Sequence, residues 1–244
     1  MLSVTMSPMA SGAQRTGDER RARVRAARLY LVIEPHTGRS GTGESSTDDL
    51  VAEALAGGVD LVQVRDKHGR EAEVIAAARR LARLCRDHGA LLVVNDRPDL
   101  ALAAGADGVH VGQDDAPVAE ARRAVGPDLV IGLSTHSPEE IDAAAASPAD
   151  YIAVGPVYRT ATKPALEPVG LELVRYAAAH ARHPFFAIGG IDASRVRDVA
   201  DAGAERIAVV RAIQDAEDPR AAARALRAGL QRSCPREAVG GPAL

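Results

Sequence analysis

Aromatic residues are scarce in this chain: four Tyr, two Phe and no Trp among 244 residues. A core with so few large rings must be filled by Val, Leu, Ile and Ala, a mixture that suits small-residue helices packed on parallel strands. Cysteine is nearly absent. Cys85 and Cys234 are too few for a disulfide framework and neither stands in a metal-ligand spacing, so both read as plain reduced thiols. No apolar run approaches the roughly 18 residues of a membrane span, and no signal-peptide core is present, so the expected location is cytoplasmic. Charge of one sign is not in excess either. Lys and Arg total 30 against 33 acidic residues, a net charge of −3, which gives no reason to expect nucleic acid or an anionic membrane as partner. Oligomeric state cannot be read from these features.

Two further scarcities direct attention to particular places. Lys67 and Lys163 are the chain's two lysines, the remaining basic residues being Arg, and both fall in the polar ends of expected strands. Asn95 is its single asparagine. It stands in Val93-Val94-Asn95-Asp96, an apolar run that breaks off into polar residues. A short helical run and Gly105 follow, and then a second such run, Val109–Val111, breaks off at Gln113-Asp114-Asp115. That is the β–α–β pattern of neighbouring parallel strands. If the strands are adjacent, Asp96 and Asp115 lie side by side at one sheet edge, where two carboxylates make sense chiefly around a cation, and hard oxygen ligands favour Mg²⁺. Taken singly, each Asp also reads as a helix N-cap, since Asp96 precedes Pro98 and Asp115 precedes Pro117. Asp114, facing away from Asp115, is the weaker ligand.

Apolar runs and helical periodicity alternate regularly from Arg28 onward. Strands are expected at 29–33, 61–64, 91–94, 109–111, 129–133, 151–154, 185–188 and 206–210. Helices are expected at 50–56, 72–88, 98–104, 118–125, 138–146, 171–181, 194–202 and 219–231, several of them stopping at a glycine such as Gly105 or Gly126. Eight strands alternating with eight helices is the signature of an α/β protein of the (β/α)8 TIM-barrel class. A doubly wound open sheet is the alternative, and it would more typically show a phosphate-binding glycine turn after the first strand. One catalytic domain is expected over 28–232. Residues 1–27 hold all three methionines and an Arg-rich run with poor apolar periodicity, and read as a disordered or loosely attached extension, with Met6 and Met9 as further start sites. The segment 35–49 reads as a mobile loop over the active-site face, and 233–244 as a flexible tail.

Barrels of this class keep their reacting groups at the C-terminal ends of the strands. On strand two, a period of two sets Gln63, Arg65 and Lys67 on one face, a row that is costly to bury unless it meets an anion. Strand five ends in Ser134-Thr135-His136. No acidic partner follows in a recognisable pattern, so a nucleophilic Ser–His reading is not favoured, and His136 reads as a surface or capping residue before the helix start Ser137-Pro138-Glu139-Glu140. Thr160, Thr162 and Lys163 after strand six offer donors to a phosphate, and Gly189-Gly190 after strand seven allows close approach of backbone to a ligand. With Val210-Arg211 after strand eight, these mark the usual phosphate end of such barrels. Two separable anion sites result, one bridged by a metal.

As an ordered set, the motifs QVRDK, VNDR, GVHVGQDD, GLSTH, GPVYRTATK, AIGGI and AVVRAI resemble the thiamine-phosphate synthase (thiamine-phosphate pyrophosphorylase) family, over about Leu29 to Ile213. The resemblance implies a (β/α)8 barrel that joins a 4-amino-2-methylpyrimidine methyl diphosphate to a hydroxyethylthiazole phosphate and releases diphosphate. It implies that Gln63, Arg65, Lys67 and Asn95 hold the pyrimidine diphosphate and that Asp96 and Asp115 bind one Mg²⁺. Ser134 and Lys163 would contact the pyrimidine substrate and its leaving group. Thr160, Thr162, Gly190, Val210 and Arg211 would cradle the thiazole phosphate. Arg211 stands where the family usually has serine. The implied chemistry is dissociative substitution, with Arg65, Lys67 and Lys163 stabilising the departing diphosphate and no general base required. A thiazole tautomerase-like relative of the same fold, lacking the complete diphosphate and metal set, and a non-catalytic phosphate-binding barrel are the rival readings.

Overall fold

The computed structural model describes residues 15–35, 44–160 and 166–231. Eight parallel strands close on themselves in sequence order. They are β1 (Leu29–Ile33), β2 (Leu61–Val64), β3 (Leu91–Asn95), β4 (Gly108–Val111), β5 (Val130–Thr135), β6 (Tyr151–Val154), β7 (Phe185–Ile188) and β8 (Ile207–Val209). Pairing of Tyr30 with Ala208 and of Leu31 with Val209 closes the barrel. The (β/α)8 expectation therefore holds, and the open sheet is excluded.

Strand alternation divides the core in two. Tyr30, Val32, Leu61, Leu91, Val93, Val130, Tyr151, Phe186 and Ala208 fill the barrel interior. Their neighbours Leu29, Leu31, Ile33, Val62, Val64, Leu92 and Val94 face outward onto the helices, as the two-residue period of a strand requires. Both faces being covered, the strands read as unbroken apolar runs. Three of the six aromatic residues meet inside the barrel, where Tyr30, Tyr151 and Phe186 pack edge to face with centroids 5.3–6.0 Å apart. The helix after β2, spanning Glu71–Asp87, lays Val74, Ala78, Leu81, Ala82 and Cys85 against the outer wall. Burial there pushes the Cys85 thiol well above its ordinary range, as befits an inert structural cysteine.

The expectation for residues 1–27 is corrected over 15–27. A helix, Gly17–Ala26, lies across the N-terminal end of the barrel. Thr16 and Glu19 form a reciprocal capping box at its start. Val24 and Ala27 join the barrel-interior cluster. Arg20, 3% exposed, donates from Nε to Asp107 Oδ1 at 3.0 Å, and Arg15 donates to Asp107 Oδ2 at 3.1 Å. Arg21 reaches Asp150 at 2.9 Å. Its partners lie in the loops that lead into β4 and β6, so the helix closes the end opposite the strand C-termini. Residues 1–14 and the tail 233–244 lie outside the described residues. The loop expected at 35–49 is shorter than that, because the following helix begins at Glu44 and runs to Ala56; residues 36–43 are outside the described set. Among the described residues, no helix is long and apolar enough to cross a membrane.

Candidate active site

A cleft of about 210 Å³, open to solvent, lies at the C-terminal mouth of the barrel. Gln63, Arg65, Asn95, Ser134, Thr160, Gly190, Val210 and Arg211 all line it. They come from six different strand ends, so barrel closure is what brings them together. Ser134 is inside β5, which runs two residues further than its apolar run suggests and pairs Ser134 with Ala153. Lys67, Asp96 and Asp115 do not line the cleft wall and form a separate charged group. Thr162 and Lys163 lie outside the described residues.

Of the expected Gln63-Arg65-Lys67 row, Gln63 and Arg65 line the cleft and Lys67 does not, β2 ending at Val64; each of the three has a protein partner. Gln63 is buried and donates to Tyr30 Oη at 2.6 Å. Arg65 pairs with Glu34 at the end of β1. Lys67 Nζ stands 3.4 Å from Asp96 Oδ2. Asp96 holds φ at +61° while its N–H donates to His110 O at 2.7 Å. That left-handed conformation is uncommon for a residue with a side chain, and Asp tolerates it better than most. Burial first, then the hydrogen bond and charge of the facing Asp115 carboxylate, push the Asp96 carboxyl above its ordinary range; Lys67 opposes them. Asp115 in turn accepts from Gly112 N at 2.7 Å. Neither acid caps a helix, since the caps at the two following helices are Arg97 and Pro117. The N-cap alternative is thereby removed. Two facing carboxylates only partly offset by one lysine fit a divalent cation. No group of three or more His, Cys, Asp or Glu converges among the described residues.

The cleft floor carries residues that the sequence reading passed over. His110 points into the barrel from β4, with Nε2 3.0 Å from Ser134 Oγ and Nδ1 3.2 Å from Tyr151 Oη. Tyr151 Oη lies 3.0 Å from Tyr30 Oη. Burial raises both tyrosines far above their ordinary range, so both hydroxyls keep their protons. Gly132 makes room for this group: a Cβ there would meet Tyr151 Cζ at 2.2 Å and His110 Nδ1 at 2.3 Å. Gly132→Ala is expected to destabilise the protein by about 2–3 kcal/mol through overpacking. Denaturant midpoints would test this, and an unchanged midpoint would mean that the rings yield freely.

Gly189 and Gly190, with φ of +106° and +63°, turn the chain across the opposite end of the cleft. A Cβ on Gly190 would sit 2.8 Å from Arg159 O and from Tyr158 Cβ. Arg195 donates to Gly190 O at 2.8 Å and lies over the Tyr158 ring at 4.9 Å from its centroid. Arg159, Arg195 and Arg211 all border this end of the cleft.

A family model described as thiamine monophosphate synthase matches residues 29–213. The chain belongs to the thiamine monophosphate synthase family. It is 53% identical over 204 residues to a thiamine-phosphate synthase of Gloeobacter violaceus, covering 84% of this chain and 58% of that protein. Against the thiamine-phosphate synthase of Saccharopolyspora erythraea it is 50% identical over 218 residues, covering 86% of this chain and 96% of the relative. A solved thiamine phosphate pyrophosphorylase from Pyrococcus furiosus superposes with a TM-score of 0.76 at 34% identity, covering 85% of this chain and 96% of the other. The chain thus spans less than two thirds of the Gloeobacter relative and nearly all of the Saccharopolyspora one.

Every site residue named above falls inside the span that matches the thiamine monophosphate synthase family, whereas the helix Gly17–Ala26 precedes it. Among the cleft residues missed from sequence are Tyr30, His110, His136, Arg159, Asp192 and Arg195. His136, read as a surface or capping residue, lines the cleft, bonding through Nδ1 to Gly155 O, while Ser137 is the cap of the next helix. A signal for His110 existed, because the period of two in Gly108-Val109-His110 turns it to the same side as Gly108. Chemically, the arrangement offers cations and a carboxylate pair beside one wall, and backbone and guanidinium donors at the other. Between them lie aromatic rings and a serine hydroxyl.

Proposed function

We propose that this chain condenses 4-amino-2-methyl-5-(diphosphooxymethyl)pyrimidine with 4-methyl-5-(2-phosphooxyethyl)thiazole to give thiamine phosphate and diphosphate, the reaction of a thiamine-phosphate diphosphorylase. What supports the reading is one cleft bordered by Arg65 on one side and by Arg159, Arg195 and Arg211 on the other, with Tyr30, His110 and Ser134 on its floor. Gln63, Arg65, Lys67 and Asn95 would hold the diphosphate of the pyrimidine. Thr160, Thr162, Gly190, Val210 and Arg211 would hold the thiazole phosphate, backbone amides and a guanidinium both being suited to phosphate oxygens. Asp96 and Asp115 would hold one Mg²⁺, which supplies charge neutralisation to a departing diphosphate. The methylene C–O bond breaks, its electrons leave with the diphosphate, and the thiazole nitrogen lone pair forms the new C–N bond. Arg65, Lys67 and Lys163 stabilise the charge that gathers on the leaving oxygens, and Ser134 fixes the pyrimidine ring. The thiazole nitrogen carries no proton to remove, so no side chain has to act as a base.

Diphosphate release on mixing purified protein with both substrates, with and without Mg²⁺, tests the reading. Release that needs both substrates and the metal supports it. Absence of release from folded, metal-supplied protein overturns it in favour of a tautomerase or a binding barrel. Arg211→Ala is expected to raise the KM for the thiazole phosphate by about tenfold to a hundredfold with little change in the KM for the pyrimidine, because a charge-assisted phosphate contact is lost at one end. Equal rises in both constants would place Arg211 elsewhere in the reaction.

A further inference from the structure

We propose that Tyr151 is a positioning residue: through His110 it sets the polarity of the Ser134 hydroxyl, so that Ser134 presents its proton to an acceptor atom of the bound heteroaromatic ring. This rests on the reading that the cleft takes the pyrimidine diphosphate. Four hydrogen bonds join five buried side chains in a line: Gln63 Nε2 to Tyr30 Oη at 2.6 Å, Tyr30 Oη to Tyr151 Oη at 3.0 Å, Tyr151 Oη to His110 Nδ1 at 3.2 Å, and His110 Nε2 to Ser134 Oγ at 3.0 Å. Gln63, Tyr30, His110 and Ser134 border the cleft, whereas Tyr151 does not and can act on a ligand only through the others.

The direction of the line follows from the number of protons each group carries. A tyrosine hydroxyl has one proton to give, and a neutral imidazole has one donor and one acceptor nitrogen. Tyr30 Oη receives the Gln63 amide proton. Its own proton then goes to Tyr151 Oη, since the reverse arrangement would leave a buried Tyr30 O–H without an acceptor, which costs more than a made hydrogen bond returns. Tyr151, having accepted from Tyr30, donates to His110 Nδ1. His110 is therefore held as the neutral tautomer with its proton on Nε2, and that proton goes to Ser134 Oγ. Ser134 has accepted, so its own proton is free to point into the cleft. A ligand that meets it must offer a lone pair. The nearby cations are already engaged, Arg65 by Glu34 and Lys67 by Asp96. The matching partner is thus an uncharged ring nitrogen rather than a phosphate oxygen. Gly132 has the same meaning in steric terms, since its missing Cβ is what lets His110 and Tyr151 meet.

Two measurements test the relay. In ¹⁵N-histidine-labelled full-length protein, long-range ¹H–¹⁵N correlation is expected to show His110, identified by comparison with His110→Gln, as the Nε2–H tautomer, with that preference weakened in Tyr151→Phe. An Nδ1–H tautomer in the wild type would reverse the direction of the bonds from His110 to Tyr151 and to Ser134 and overturn the proposal. In steady-state diphosphate release, Tyr151→Phe is expected to lower kcat about tenfold with the KM of the thiazole phosphate unchanged and the circular dichroism intact. Ser134→Ala should lower kcat by at least as much, and the Tyr151→Phe/Ser134→Ala double variant should be no slower than Ser134→Ala alone, because Tyr151 works through Ser134. Additive losses would mean that Tyr151 acts by another route. If the wild type releases no diphosphate at all, the functional reading falls, and the tautomer measurement still decides the relay.

Discussion

Asp96→Asn combined with Asp115→Asn is expected to lower Mg²⁺-dependent diphosphate release by about a thousandfold while leaving the barrel folded. Asparagine is the right replacement at 96. The backbone there is at φ +61°, a conformation that Asn adopts more readily than Ala, so lost activity will not be confused with relieved or added strain. Stability should respond in the opposite sense from activity. Asp96 is pushed above its ordinary range by burial and by Asp115, so the folded protein holds this proton more tightly than the unfolded chain. The stability tied to that proton is full below the unfolded value of about 3.9 and is lost as pH rises through the higher folded value. At neutral pH the wild type carries the resulting repulsion and the asparagine variant does not. Without metal, the variant's Tm at pH 7 should therefore equal or exceed that of the wild type, and the difference should shrink in acid. Added Mg²⁺ should raise the Tm of the wild type and not of the variant, since only the wild type offers the ion a pair of carboxylates. A Mg²⁺-induced rise of equal size in both proteins would show that the ion binds elsewhere.

The eight strands were legible because parallel strands covered on both faces must be apolar at nearly every position, so they stand out as short runs between polar ends. The same geometry made much of the site legible. Once Gln63, Asn95, Ser134 and Gly190 are assigned to strand C-termini, closure of the barrel brings them to one mouth whatever the loops do. What stayed hidden depends on contacts distant in sequence. Arg65 finds Glu34 across the β1–β2 neighbourhood, and no local pattern marks that pair. Arg195 shows its place only through Gly190 O and the Tyr158 ring. The helix Gly17–Ala26 has too few apolar residues to show a buried stripe, for besides Gly17 it buries Val24 and an arginine. Its binding is ionic and its partners lie 85 or more positions away, at Asp107 and Asp150. The Thr16–Glu19 capping box was the available local sign, and it precedes a segment whose composition suggested solvent.

That ionic attachment leads to the second large effect. Asp107→Ala is expected to destabilise the protein by about 3–5 kcal/mol, the range for removing one partner of a buried ion pair. Asp107 accepts from Arg20 Nε, from Arg15 Nη1 and, through Oδ2, from Leu92 N at 3.1 Å. Without it a guanidinium that is 3% exposed loses its charge partner and keeps only the carbonyls of Arg15 and Asp128, while an N–H at the start of β3 loses its acceptor. For a chain of this size that corresponds to a fall in Tm of roughly 6–20 °C. Activity measured well below the transition should stay near wild type, because Asp107 is at the end of the barrel opposite the cleft. Arg20→Ala should cost less than Asp107→Ala, since Asp107 would keep Arg15 and Leu92 N. The Arg20→Ala/Asp107→Ala double variant should lose clearly less than the sum of the single losses, because the charge stranded by one substitution is removed by the other. Strict additivity, or a Tm within about 2 °C of wild type for Asp107→Ala, would mean that the helix is held by Val24 and Ala27 alone and that the ion pair contributes nothing to closing the barrel floor.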